Sequence, residues 1–262
     1  MKKVLFLISA IFLFQSLFVP VFSIDQNYKE ELKRIGYSYN VKGYIKSIQN
    51  QDLRAFNYFL HSTVNINSKN SKGFSPLHVA AHCDNIYYAA RLIEQDADVN
   101  IQNDAGDAPL NYSVYHGNMD LTKLLVESGA NVNIQNNYGD TALRHAVMVR
   151  KLEFVIYLIS VDADVNLQNN AGNNPLYYAS ENGDLDIVKT LAANGGDINN
   201  VNNLGETPLM AAARNGRVDV VKFLLSKRVD KTIKNLEGLD AFDIALKYNK
   251  NEIVNLLSMS IY

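Results

Sequence analysis

The sequence predicts an all-α solenoid of stacked helix pairs, on three observations. Gly73, Gly106, Gly139, Gly172, Gly205 and Gly238 follow one another at intervals of 33 residues without a slip. An asparagine stands three residues before each of them: Asn70, Asn103, Asn136, Asn169, Asn202 and Asn235. Between successive glycines lie two short apolar patterns with helical spacing. Neither could bury its apolar face alone, so stability must come from stacking on neighbours.

Each element of the unit has a physical reason. Asn-x-x-Gly marks a tight turn, where glycine takes positive φ without steric cost and asparagine bonds nearby backbone. Pro76, Pro109, Pro175 and Pro208 share one register, with Ala142 and Ala241 in the two gaps. Proline suits the first helical position, and Ser75, Thr141, Thr207 and Asp240 precede it as N-caps. The first helix is short, with Leu77/Ala80, Leu143/Ala146, Leu176/Ala179 and Leu209/Ala212 three apart on one face. Small alanines let a neighbouring helix approach.

Gly117, Gly183 and Gly216 are expected to end that helix in the left-handed conformation. Asp84 and Arg150 hold the same position in other units, and Arg150 is the less tolerant of positive φ. The second helix carries stripes such as Val218, Val221, Leu224 and Leu225. Gly129 and Gly195 close it, and Val99, Val132, Val165 and Ile198 anchor a strand-like run into the next turn.

Ser75-Pro76-Leu77-His78-Val79-Ala80 and Thr207-Pro208-Leu209-Met210-Ala211-Ala212 resemble the Thr-Pro-Leu-His-x-Ala signature of ankyrin repeats, and Gly129-Ala130-Asn131-Val132-Asn133 resembles their ending. The resemblance implies antiparallel helix pairs with short β-hairpin loops projecting to one side, stacked into a curved ankyrin-repeat solenoid. It also implies that His78 ties adjacent repeats through hydrogen bonds. Boundaries follow: an N-cap at 40–69, repeats at 70–102, 103–135, 136–168, 169–201 and 202–234, and a C-cap at 235–262. Residues 24–39 form a lead segment that adds one short amphipathic helix.

Composition bounds what such a chain can do. Twenty-five Lys+Arg against 27 Asp+Glu give a formal charge of −2, which argues against nucleic acid as a ligand. The single cysteine, Cys83, excludes an internal disulfide framework. Met1-Lys2-Lys3, an apolar run from Val4 and Val21-Phe22-Ser23 read in order as a secretory signal peptide over 1–23. Gln15, Ser16 and Pro20 interrupt the run, so cleavage is expected rather than a stable membrane anchor. The expected product is a monomer in the periplasm or outside the cell.

Catalysis finds little support. Ser75 in Gly73-Phe74-Ser75-Pro76-Leu77 lacks the second glycine of a nucleophile elbow and is better explained as an N-cap, with His78 in reach of it. Asp107, Asp140 and Glu206 share a register at the hairpin tips and read as solvated turn residues, since no pocket is evident to raise a carboxyl pKa. Asn111-Tyr112-Ser113 is a glycosylation sequon, but it falls inside a first helix. The competing chemistry is a metal- or haem-binding protein using His82, Cys83 and His116. No cofactor is assigned and the reading is non-enzymatic.

What remains is a binding surface. The family resemblance implies that hairpin tips and the exposed end of the first helix line a concave face. One column on that face reads His82, Tyr115, Met148, Glu181, Arg214 and Lys247; the next begins Cys83, His116 and Val149. Phe74 and Tyr138 lie near the tips. Aromatic and apolar groups at rigid exposed positions suit a protein–protein hot spot. The expected partner-binding set is therefore Phe74, His82, Tyr115, His116, Tyr138, Met148 and Val149, with polar, basic later units setting orientation. A secreted effector acting on a host protein would use the same surface.

Overall fold

The computed structural model describes residues 26–227 and 229–259. The export segment read at 1–23 lies outside them. The described residues hold fifteen α-helices and no strand, and they fall into two compact units that divide between Asn65 and Ile66.

The first unit contains α1 (Gln26–Arg34), α2 (Val41–Gln49) and α3 (Leu53–Leu60). Asn40 Oδ1 accepts the Gly43 N–H at 3.1 Å and Asp52 Oδ1 the Ala55 N–H at 3.0 Å, so both later helices start on side-chain caps. Their core is aromatic. Tyr44 stacks on Phe59 at 5.1 Å, with Phe56, Ile48 and Leu32 buried around them.

The second unit contains six helix pairs: α4 (Pro76–His82) and α5 (Ile86–Ile93), α6 (Pro109–His116) and α7 (Met119–Glu127), α8 (Ala142–Met148) and α9 (Leu152–Ser160), α10 (Pro175–Asn182) and α11 (Leu185–Ala193), α12 (Pro208–Arg214) and α13 (Val218–Ser226), α14 (Ala241–Lys247) and α15 (Asn251–Met259). Within this unit each first helix packs on its own second helix, and successive first helices pack on one another. The core is a continuous column between layers. Leu77, Leu110, Leu143, Leu176 and Leu209 are buried at one position, and Ala80, Ala146, Ala179 and Ala212 at another. Within this unit the fold is the expected all-α repeat solenoid.

The caps follow the sequence. Ser75, Thr141 and Thr207 accept from His78, Arg144 and Met210. Ala108 has no side-chain acceptor, so Asn111 Oδ1 takes the Ala108 N–H instead, at 2.9 Å. That bond buries Asn111, which removes the sequon from solvent. Positive φ recurs every 33 residues, at Gln51, Asp84, Gly117, Arg150, Gly183, Gly216 and Asn249. Arg150 adopts it as well, with its Nε held 2.7 Å from Asp184 Oδ1.

The turns close as expected, but the strand-like runs form no ladder among the described residues. Single backbone bonds join successive tips, such as the Asn137 N–H to the Ala105 carbonyl at 2.9 Å, and side-chain amides add to them. Asn136 Oδ1 accepts the N–H groups of Tyr138 and Asp140, and Asn100 Oδ1 accepts the Asn131 N–H of the next repeat at 2.7 Å. At the tips, Asn137, Asn170 and Asn203 each donate from Nδ2 to the carbonyl 33 residues earlier, at 2.8 Å.

Candidate functional site

The first-helix ends and hairpin tips of the early repeats gather an aromatic cluster. Phe74 reaches its place because the Asn70 turn holds the Phe74 N–H on Asn70 Oδ1 at 3.0 Å. From there its ring meets Tyr112 of the next repeat at 5.5 Å and His82 edge-on at 6.4 Å. His82 also meets Tyr112 at 5.5 Å and His116 at 5.1 Å, and Tyr115 stands edge-on to His116 at 5.4 Å. Four of the expected binding residues thus touch in one chain of rings.

Tyr138 joins them across a groove of about 490 Å³, walled by Phe74, Tyr112 and Tyr138, with Lys72, Asp104 and Asn137 at its polar edge. Tyr138 is 69% exposed and Tyr115 53%, whereas Phe74 is half-buried. Met148 is exposed at the end of α8, where its sulfur accepts from the Arg144 guanidinium, and Val149 is half-buried beside it. Both lie outside the groove, although Met148 repeats the position of His82 and Tyr115.

Tyr112 is the wall that the expected binding set omits, and its place is the packing surface between repeats. There Asn103 Nδ2 donates to its hydroxyl at 2.8 Å and turns the ring toward Phe74. The nine-residue Asn–Tyr spacing, repeated by Asn169 and Tyr178, carries that signal, and the Tyr178 hydroxyl also accepts from its asparagine. Burial and the nearby Asp107 charge push the Tyr112 phenol above its ordinary pKa.

Ser75 and His78 do meet, Oγ to Nδ1 at 2.9 Å, but as a cap rather than a nucleophile and base. Both are fully buried. The Ser75 N–H donates to Nδ1 at 3.2 Å, so the ring is the Nε2–H tautomer and donates to the Asp107 carbonyl of the next repeat at 2.9 Å. Burial lowers the His78 pKa to about 4, against the weaker pull of the Asp107 carbonyl. His145 is treated alike: Asn111 Nδ2 donates to its Nδ1 at 3.0 Å, and burial lowers its pKa.

Three expectations are corrected. Asp140 and Glu206 are buried and Asp107 half-buried, so these are not solvated turn residues. Asn136 donates to Asp107 at 2.8 Å and Asn169 to Asp140 at 3.1 Å, each from the following repeat, while the Tyr177 hydroxyl donates to Glu206 at 2.8 Å. The second correction concerns the basic end. Arg214 pairs with Glu206, and Lys247 with Glu237 at 2.5 Å, so these cations are matched within the chain. The third concerns the set His82, Cys83 and His116: among the described residues no group of three or more His, Cys, Asp or Glu is placed to hold a metal ion. His82 and His116 come together, but Cys83 serves as the C-cap of α4, half-buried, its thiol pKa raised by burial.

Among the described residues no helix is long and apolar enough to cross a membrane. A family model described as ankyrin repeats, in three copies, matches residues 45–136, 117–202 and 176–261. No curated protein matches the chain.

Proposed function

The chain belongs to the ankyrin-repeat family, and from that membership we propose an exported, non-catalytic scaffold that binds a protein partner through the ring cluster and tips of its early repeats. Ankyrin repeats are generally protein–protein interaction modules. The observation that carries the reading is the connected set Phe74, His82, Tyr112, Tyr115 and His116, which opens with Tyr138 onto a groove. Rings locked by neighbouring repeats lose little freedom when a partner covers them, and Tyr at such positions is a frequent anchor. Met148 and Val149 extend the same repeat positions by one layer.

Lys72 and Asp104 at the groove edge offer both charge signs to a partner's backbone or polar side chains. The burial of Ser75 and His78 supports a non-catalytic role, because a substrate has no path to that pair. Export rests on the order of basic, apolar and small residues over 1–23, which leaves 23 basic against 27 acidic residues in the cleaved chain.

Affinity capture from an extracytoplasmic extract tests the reading, with the chain beside a Tyr115→Glu/Tyr138→Glu variant of equal thermal stability. A protein held by the first and lost by the second is the expected result. Equal retention by both would move the binding face elsewhere on the repeats.

A further inference from the structure

The paired histidines at the ends of α4 and α6 carry an inference that needs no protein partner. His82 and His116 are 34 residues apart, one more than the repeat, which brings His116 round its helix toward His82. His82 Nδ1 and His116 Nε2 then face each other at 3.3 Å. Both side chains are exposed.

That separation is long for a hydrogen bond, whose nitrogen donors more often stand about 2.9–3.0 Å from their acceptors. It matches another geometry. With each nitrogen about 2.0–2.1 Å from a tetrahedral zinc ion, two ligand nitrogens stand about 3.3–3.4 Å apart. The rings meet at 71° and are not stacked, so their facing nitrogens are not forced past one another.

We infer that His82 and His116 form a two-nitrogen site for a borderline divalent transition-metal ion (Zn²⁺, Ni²⁺ or Cu²⁺), with its remaining positions open to water. Coordination requires the proton on Nε2 of His82 and on Nδ1 of His116. Among the described residues neither outer nitrogen makes a hydrogen bond, so both can carry the proton, and the only bond given up is the long one between the two rings. Phe74 and Tyr112 stand edge-on to His82, and Tyr115 edge-on to His116. These neighbours restrict both imidazoles before an ion arrives.

Among the described residues no third ligand stands beside the pair. Asp84, the nearest carboxylate in sequence, accepts from Asn118 Nδ2 at 2.6 Å. A closed structural zinc site has four protein ligands, and histidines in such sites are usually backed by a carboxylate or carbonyl. This site has neither, so it binds an exchangeable ion at micromolar rather than structural affinity.

Calorimetric titration of the full chain with Zn²⁺, repeated with Ni²⁺, tests the assignment. The expected result is one ion per chain, weakened at least about tenfold in His82→Ala and in His116→Ala, with no further loss in the double variant, as for a bidentate unit. Zn²⁺ should raise the thermal midpoint of the unsubstituted chain and of neither variant, while the three metal-free proteins unfold alike. Cys83→Ser should bind as the unsubstituted chain does. Absence of binding, undiminished binding in both alanine variants, one ion per two chains, or loss in Cys83→Ser would each overturn the two-histidine site.

Discussion

Thr122 Oγ1 stands 2.9 Å from Ser113 Oγ, hydroxyl to hydroxyl, inside the fully buried layer between α6 and α7. The same two positions hold Ala80 and Ala89, Ala146 and Val155, Ala179 and Val188, and Ala212 and Val221 in the other repeats, all buried. Each hydroxyl also reaches a backbone carbonyl, Ser113 that of Leu110 at 2.9 Å and Thr122 that of Asn118 at 2.7 Å.

Removing one hydroxyl therefore costs only a single net hydrogen bond. Ser113→Ala and Thr122→Val are each expected to lower stability by about 0.5–1.5 kcal/mol, while the double replacement is neutral or stabilising because both polar groups leave together. Urea unfolding of all four proteins measures the cycle. A double variant that loses more than the two singles combined would contradict this account of the layer.

Glycines 139 and 129 both have positive φ, at 77° and 92°, but their surroundings differ. A Cβ on Gly139 would lie 2.7 Å from Asn169 Cα and from Asn170 N of the next tip, whereas Gly129 has nothing within 4 Å. Gly129→Ala should cost about 1–2 kcal/mol for the backbone conformation alone. Gly139→Ala should cost about 1–3 kcal/mol beyond that, since the overlap is with main chain that cannot rotate away. Equal losses in chemical denaturation would mean that the tips can part without cost.

His78 makes stability depend on pH with a definite sign. Its pKa falls from 6.5 unfolded to about 4 folded, chiefly through burial, so below pH 6.5 the unfolded chain binds the extra proton. The contribution is complete above pH 6.5 and fades as the pH falls toward 4, by a total on the order of 3 kcal/mol. Protonation would also set a donor on Nδ1 against the Ser75 N–H. The difference in unfolding free energy between the unsubstituted chain and His78→Gln, followed from pH 7.5 to 4, should narrow or reverse. A constant difference would show that the ring titrates freely in the fold.

Asp162 holds φ at 67° where Gly129 and Gly195 stand in neighbouring repeats. Asp162→Gly relieves that conformation, and after the greater freedom of unfolded glycine is subtracted the gain should be about 0.5–1 kcal/mol. Asp162→Ala should go the other way, because alanine tolerates the left-handed region less well than aspartate. Thermal unfolding of the three proteins ranks them directly.

The helices, their caps and their leucine and alanine rows were legible because each depends on residues within one unit. Ser75, Thr141 and Thr207 cap the helices they precede whatever the neighbouring repeat contains. Asp140 and Glu206 were not legible in this way. Each looks like a turn residue until Asn169, 29 residues later, and Tyr177, 29 residues earlier, are seen to donate to them. Arg214 and Lys247 find Glu206 and Glu237 inside their own units, and those pairings depend on how each tip folds back toward the end of its first helix. Within the candidate site, the exposure of Tyr115 and Tyr138 followed from register. The turn of Tyr112 toward Phe74 did not, because it depends on the Asn103 amide.

The asparagine rungs at the tips make the length of the second unit divisible only by whole repeats. If residues 136–168 were excised, Asn169 would arrive where Asn136 stood and find the same Asp107 acceptor, and Asn170 would find the Asp104 carbonyl that Asn137 had used. The cut ends would reseal at the tips with every rung remade. Inserting a single residue between two rows would instead misalign every rung across that junction. The stack behaves as a rack with fixed teeth: it accepts loss or gain of a full 33-residue step and resists anything smaller.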